Sequence, residues 1–170
     1  MLEAILLYKG DVQFAAMLLL TAATFRWGAA PERWCGGAFA FMFLIDIPYH
    51  WIFGPGMRLS SIDIGHALMD FVTAVAFVVV ALRANRMYPL WLAALQLISL
   101  ASHFVRAANP AMLPLVYATM SIAPSYLELI VLAGGLVNHV RRVKRYGPYR
   151  SWRTSSPRSR ESAAAASPKG

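Results

Sequence analysis

The sequence predicts an all-α integral membrane protein, a bundle of about five transmembrane helices with a disordered basic C-terminal tail. Of its 170 residues, 58% are hydrophobic and 14% are charged, whereas an average soluble domain is about 25% charged. Long apolar runs approach the ~20 residues that cross a bilayer, and short polar turns separate them. Basic residues gather beyond the last of these runs. Together these three observations define the fold class.

Five apolar runs are predicted to cross the membrane within one helical domain of residues 1–146. They cover residues 2–25, 34–53, 62–82, 89–106 and 114–139. The first is the least certain of the five, because its uncharged part covers only residues 12–25, fewer than the ~20 that a span needs. Residues 2–25 therefore form either one long tilted helix or a surface segment followed by a short span.

The later spans carry local signals of their own. Pro48 removes a backbone donor within the second span, so the helix is expected to loosen near Ile47. The third span begins with polar residues and ends in an apolar run. Pro89 stands at the start of the fourth, where proline is favoured. The fifth contains a single acid, Glu128, near its middle, and Pro124 one turn earlier.

Residues 147–170 are rich in Ser, Arg, Pro and Ala, which predicts a disordered basic tail. Of the Lys and Arg residues, thirteen fall on one side of the predicted bilayer and three on the other. The C-terminus is therefore predicted to be cytoplasmic and the N-terminus to lie on the opposite side. The tail is expected to contact anionic lipid head groups. Nucleic acid is not an expected partner, because no aromatic or fold signature accompanies the charge.

Histidines in three spans are predicted to reach the same depth. At ~1.5 Å per residue, His50, His66 and His103 all fall within roughly 4–8 Å of the outer boundary. Three histidines at one level predict a metal site, with Zn²⁺ or iron as the candidate ion. Two facing histidines would instead suit a b-type haem.

Further polar residues are predicted to support these histidines or to relay protons: Asp46, Asp70, Gln96 and Glu128. Asp46 and His50 are four residues apart and share a helix face, and so do His66 and Asp70. A carboxylate that accepts a ring N–H orients the imidazole and raises its basicity. Gln96 shares a face with His103, whereas Glu128 lies about 20 Å from the outer end and would continue a proton path inward.

A structural interpretation of the same residues stands beside the functional one. The histidines would then lie in the hydrated interface, and the aspartates would pair for packing, for instance with Arg58 or Arg106. Because a buried acid normally finds a partner, a lone aspartate within a span does not by itself indicate function.

Three functions are compatible with the sequence. The first is a membrane protein with a metal or haem site, enzymatic or redox. The second is a small-molecule or proton-coupled carrier that works as a homo-oligomer, and the third is a non-catalytic subunit or assembly factor bound to a membrane-protein partner. The chain has no GxSxG, Walker, HExxH or CxxCH motif, so no reaction is predicted.

Overall fold

The computed structural model describes residues 2–53 and 64–153, with the side chains of residues 12–42, 44–53 and 64–153. These ranges are almost entirely helical. The helices are α1 (Leu2–Trp27), α2 (Ala30–Phe53), α3 (Ile64–Arg83), α4 (Tyr88–Ala108) and α5 (Pro114–Tyr146). Consecutive helices pack against each other, and α5 also contacts α1 and α2, which closes the bundle.

The connections bring the helix termini together in two sets. One set, which we call the basic end, comprises the turns at residues 28–29 and 84–87 and the end of α5. The other, which we call the histidine end, comprises the ends of α2 and α4 and the starts of α3 and α5. Short connections of this kind join antiparallel neighbours.

Four of these helices, α2 to α5, are long and apolar enough to cross a membrane. α1 is one continuous helix, and its apolar part, Val12–Trp27, is shorter than the others. The prediction of one long first helix is therefore closer to the structure than a surface segment followed by a separate span.

Large apolar side chains cover the outside of the bundle, while polar ones lie inside it. Leu19 is 72% exposed and Ile52 is 73% exposed. By contrast, Glu32, Gln96 and Glu128 are at most 2% exposed. In a soluble bundle the arrangement is the opposite, because apolar side chains are buried and polar ones face water.

An apolar core near the basic end holds the helices together. Phe39 of α2 and Phe77 of α3 meet edge to face with their ring centroids 5.3 Å apart, and Leu92 and Leu132 add α4 and α5. At Gly135 a Cβ atom would stand 2.6 Å from the Tyr88 ring. Only glycine allows α4 and α5 to approach this closely, as small residues commonly do where helices pack.

Several helix boundaries differ from the prediction. Residues 26–33, between the first two predicted spans, were expected to form a polar turn. This prediction is wrong, because α2 begins at Ala30. Pro31 suits a helix start, and the Glu32 carboxylate accepts a hydrogen bond from the Ala29 backbone N–H at 3.1 Å. α2 then continues through Pro48 to Phe53. The expected start of α3 at residue 62 and Arg58 lie outside the described residues.

The segment that follows the fifth helix differs from the prediction of a tail that is disordered from residue 147. α5 runs to Tyr146, and disorder does not begin at residue 147. Residues 147–153 return across the basic end, where Asn85 N donates to Ser151 O at 3.0 Å and Arg153 N donates to Arg83 O at 2.7 Å. Trp152 packs on the apolar core, which gives this segment an anchor that its composition did not indicate. The tail beyond residue 153 lies outside the described residues.

A buried ion pair joins α2 to the α3–α4 turn beneath this segment. Arg86 Nε donates to Glu32 Oε1 at 2.6 Å, and the two side chains are 4% and 0% exposed. Arg86 also lies 3.1 Å from His139 Nδ1, and its guanidinium stacks 4.7 Å from the centre of the Tyr149 ring. One arginine thus connects α2, α5 and the C-terminal segment.

Replacement of Arg86 by methionine is expected to destabilise the protein by about 3–5 kcal/mol, because it leaves a buried carboxylate without its counter-charge. Detergent-solubilised protein unfolded by SDS titration, followed by circular dichroism, measures the change. Arg83→Met is the control, since the Arg83 side chain is exposed. Equal stability of the two variants would contradict a structural role for this ion pair.

Candidate functional site: a polar cavity

A cavity of about 880 Å³ lies between the helices and is lined by residues from all five. The seven residues selected from the sequence all line it: Asp46, His50, His66, Asp70, Gln96, His103 and Glu128. They do not form one cluster. The cavity instead has three parts, which differ in how their carboxylates are paired.

At the histidine end lies the mouth cluster, which consists of Asp46, His50 and His66. His66 Nε2 is 3.0 Å from Asp46 Oδ1, and His50 Nε2 is 3.3 Å from the same oxygen. One ligand atom from each residue lies within 4.8 Å of the others. The side chains are about one-quarter to one-third exposed, so this part of the cavity opens to the surroundings.

Close packing of α2 on α3 positions the mouth cluster. At Gly65 a Cβ atom would overlap the outer edge of the Tyr49 ring, so the lack of a side chain here leaves room for this ring against α3. Tyr49 then meets His66 edge to face at 5.2 Å. The approach brings His66 within hydrogen-bonding distance of Asp46 on the neighbouring helix.

Deeper in the cavity, the Asp70 carboxylate accepts hydrogen bonds from α4, and we call this group the Asp70 network. Gln96 Nε2 donates to Oδ1 at 2.9 Å. Ser99 Oγ donates to Oδ2 at 2.8 Å, and His103 Nε2 lies 3.0 Å from the same oxygen. On its other side, His103 Nδ1 is 2.8 Å from the hydroxyl of Tyr117 on α5. The network therefore joins three helices.

The histidines are divided between these two groups. His103 is 3% exposed and belongs to the Asp70 network, so the three histidines do not converge on one ion. The pairing of His50 with Asp46 matches the predicted i,i+4 contact. For His66 and Asp70 the structure shows partners on other helices, Asp46 and His103, because both side chains point across helix interfaces.

Glu128 forms the third and deepest part of the cavity. It is 1% exposed, and its Oε1 has no hydrogen-bond partner among the described residues. It lies fourteen residues into α5, about 21 Å along the helix from the histidine end. Glu128 thus differs from Asp46 and Asp70, whose carboxylates have partners on neighbouring side chains.

Several polar residues of the site were not among those selected from the sequence, including Ser99, Tyr117 and Gln13. Tyr117, fully buried, completes the contact between His103 and α5. Gln13 of α1 donates to Ser125 Oγ at 2.8 Å and lines the cavity. Tyr117 and Gln13 are polar residues in otherwise apolar runs. In the predicted spans, Tyr117 is three residues from the start of the fifth and His103 is three residues from the end of the fourth. The similar depth of Tyr117 and His103 is the sequence signal that could have identified Tyr117 as part of the site.

The arrangement offers two kinds of chemistry. The mouth cluster presents nitrogen and oxygen ligands with the composition of a transition-metal site. The deeper acids place carboxyl groups within an enclosed space, where any charge interaction is stronger than in water. The chain matches no protein-family model, no curated protein and no solved structure, so its function must be argued from this geometry.

Replacement of Asp70 by alanine removes the acceptor of three side chains and is expected to lower the free energy of unfolding by about 2–4 kcal/mol, at roughly 1 kcal/mol for each hydrogen bond. SDS-induced unfolding measures it. Thr119→Ala is the matched control, because the exposed Thr119 hydroxyl bonds only the Leu115 carbonyl of its own helix. A loss below about 0.5 kcal/mol for Asp70→Ala would contradict the network.

Proposed function

We propose that this is a multi-pass membrane protein that binds a divalent transition-metal ion at the mouth cluster, with the basic end in the cytoplasm. The observation that supports metal binding most directly is the convergence of Asp46, His50 and His66 within 4.8 Å. The ion would lie at the opening of the polar cavity, on the side of the membrane away from the basic tail.

The distribution of polarity supports the membrane assignment. Exposed leucine, isoleucine, valine and phenylalanine side chains cover α2 to α5, which suits contact with lipid. Polar side chains within the bundle pair across helices, as they must where no water is available. The basic residues at one end favour that end for the cytoplasm.

The spacing of the mouth cluster suits a small ion. Ligand atoms around a tetrahedral ion with 2.0–2.1 Å bonds lie roughly 3.4 Å apart, and the two described nitrogen–oxygen distances are 3.0 and 3.3 Å. Slight widening would admit an ion, which would replace ring protons now shared with the carboxylate. Two histidines and one carboxylate favour Zn²⁺ or Fe²⁺.

Haem is not supported by this geometry. His50 and His66 direct their Nε2 atoms at the same carboxylate oxygen, and their ring centroids are 5.2 Å apart. The rings therefore stand side by side rather than facing each other across the space that a porphyrin would need. His103, the remaining predicted ligand, bonds Asp70 and Tyr117 instead.

Three protein ligands leave at least one coordination position for a water or a substrate, which is the pattern of reactive rather than structural zinc sites. The cavity would supply the space for such a ligand, because Asp46, His50 and His66 all line it. The Asp70 network lies next along the cavity and supplies none of these three ligands.

A second candidate function is a proton-coupled or solute carrier. Glu128 favours it, because this acid lies beyond Asp70 on the wall of the same cavity. Carboxylates and histidines in series form proton relays within membranes. A non-catalytic subunit is less well supported, since it predicts scattered polar groups that pair locally, whereas these polar groups share one cavity.

Elemental analysis of protein purified without a histidine tag is expected to give close to one Zn or Fe per chain after loading and desalting. His66→Ala is expected to lose most of this metal, because one of three ligands is removed. His103→Gln is expected to retain it, since His103 lies in the Asp70 network.

The comparison between the two variants makes the test specific to the mouth cluster. Circular dichroism and gel filtration confirm that each variant is folded. Equal metal loss from folded His66→Ala and His103→Gln, or no metal in the loaded wild type, would contradict the proposed site.

A further inference from the structure

We propose that the deep end of the cavity binds a lipophilic organic cation, an amine or quaternary cation with an apolar body, and that Glu128 provides its counter-charge. This second site assigns a substrate class to the carrier function. It depends on the cavity and its membrane setting but not on a metal ion at the mouth cluster.

The first observation is the isolation of Glu128. Its side chain is 1% exposed and faces the cavity, and Oε1 has no hydrogen-bond partner among the described residues. A charged group within a membrane span is costly unless it is paired or faces a wet cavity. A bound cation would satisfy this carboxylate.

The second observation is the sign of the charge around the cavity. Asp46, Asp70 and Glu128 line it, and none of the described lining residues is a lysine or an arginine. Asp70 adds negative charge near Glu128, while its own oxygens are occupied by three donors on α4. The cavity is therefore suited to cations and opposes anions, because an enclosed space strengthens both effects.

The third observation is the chemistry of the wall around the acids. The apolar lining residues include Phe14, Met17, Phe39, Met42 and Met69. Aromatic faces attract cations, and methionine side chains adapt to ligands of varied shape. A hydrated metal ion would find few ligands here, whereas an organic cation could pack its apolar groups on this surface. About 880 Å³ lies in the range of pockets for drug-sized molecules, roughly 300–1,000 Å³.

Two probes of nearly the same shape and opposite charge test the proposal on the full-length protein. Radiolabelled tetraphenylphosphonium, the cation, is expected to bind saturably to protein in lipid nanodiscs, with empty nanodiscs as the blank. Tetraphenylborate, the anion, is expected not to compete at equal free concentration. No saturable phosphonium binding, or equal binding of the borate, would overturn the proposal without any variant.

Substitution then locates the site. Glu128→Gln keeps the size of the side chain and removes its charge, so phosphonium affinity is expected to fall on the order of thirtyfold or more. Glu128→Asp is expected to retain part of the binding, and Thr119→Ala on the exposed side of the same helix is expected to bind as the wild type does. Unchanged affinity in folded Glu128→Gln would overturn the assignment.

Metal analysis of the same samples separates this proposal from the previous one. Glu128→Gln is expected to keep the metal content of the wild type while it loses phosphonium binding. Phosphonium binding without metal would support the deep site and reject the mouth cluster. Metal without phosphonium binding would do the reverse.

Discussion

The rest of the site depends on the hydrogen bonds that the Asp70 carboxylate accepts. Its two oxygens accept hydrogen bonds from Gln96 and Ser99 and contact His103. Because His103 continues to Tyr117, one acid of α3 sets the position of both α4 and α5. The Ser99 hydroxyl also lies 2.9 Å from the Ser121 carbonyl oxygen of α5, so Asp70 and this carbonyl share its single proton. Polar contacts thus hold the helices together around the cavity, where apolar side chains do not fill the interior.

The three acids of the cavity differ in their partners, and this difference suggests a division of roles. Asp46 shares one oxygen with two histidines, which is a ligand arrangement. Asp70 has a full set of donors and serves the packing of the helices. Glu128, deepest of the three, lacks a partner at Oε1. Buried polar groups are normally satisfied, so the exception is the group most suited to interact with something that enters the cavity.

Buried polar contacts also join the elements at the basic end, where they do not line the cavity. Glu32 and Arg86 form a buried pair, and the arginine extends to His139 and Tyr149. This group lies away from the cavity and secures the C-terminal segment. The bundle therefore has a polar, open half toward the histidine end and a closed half toward the basic end, with an apolar core between them.

Much of this arrangement could be predicted from the sequence, because helical rise converts position into depth. His50, His66 and His103 do approach the same end, and all seven selected residues line one cavity. Partner choice was not predictable, since it depends on how each helix is rotated about its axis. His66 and Asp70 share a helix face but turn to different neighbours.

The boundaries that differed were set by contacts distant in sequence. Residues 147–153 have the composition of a disordered tail. Even so, Trp152 packs against the apolar core, and the Ser151 carbonyl accepts a backbone hydrogen bond from Asn85. The composition of this segment does not predict contacts with residues that are distant in sequence. The early start of α2 is different, because Pro31 and Glu32 are recognisable helix-start residues that the charges of Arg26 and Arg33 obscured.

The polar cavity extends from the mouth cluster at the histidine end to Glu128 in the middle of α5. Cysteine accessibility tests this most directly, with Glu128→Cys and Ile130→Cys placed separately in a Cys35→Ala background. A water-soluble, membrane-impermeant cationic thiol reagent is added to one side of sealed proteoliposomes of known orientation. Labelling is expected at position 128 from the side of the histidine end. None is expected at position 130, because Ile130 is 68% exposed on the apolar surface. Labelling at 130 with protection at 128 would contradict it.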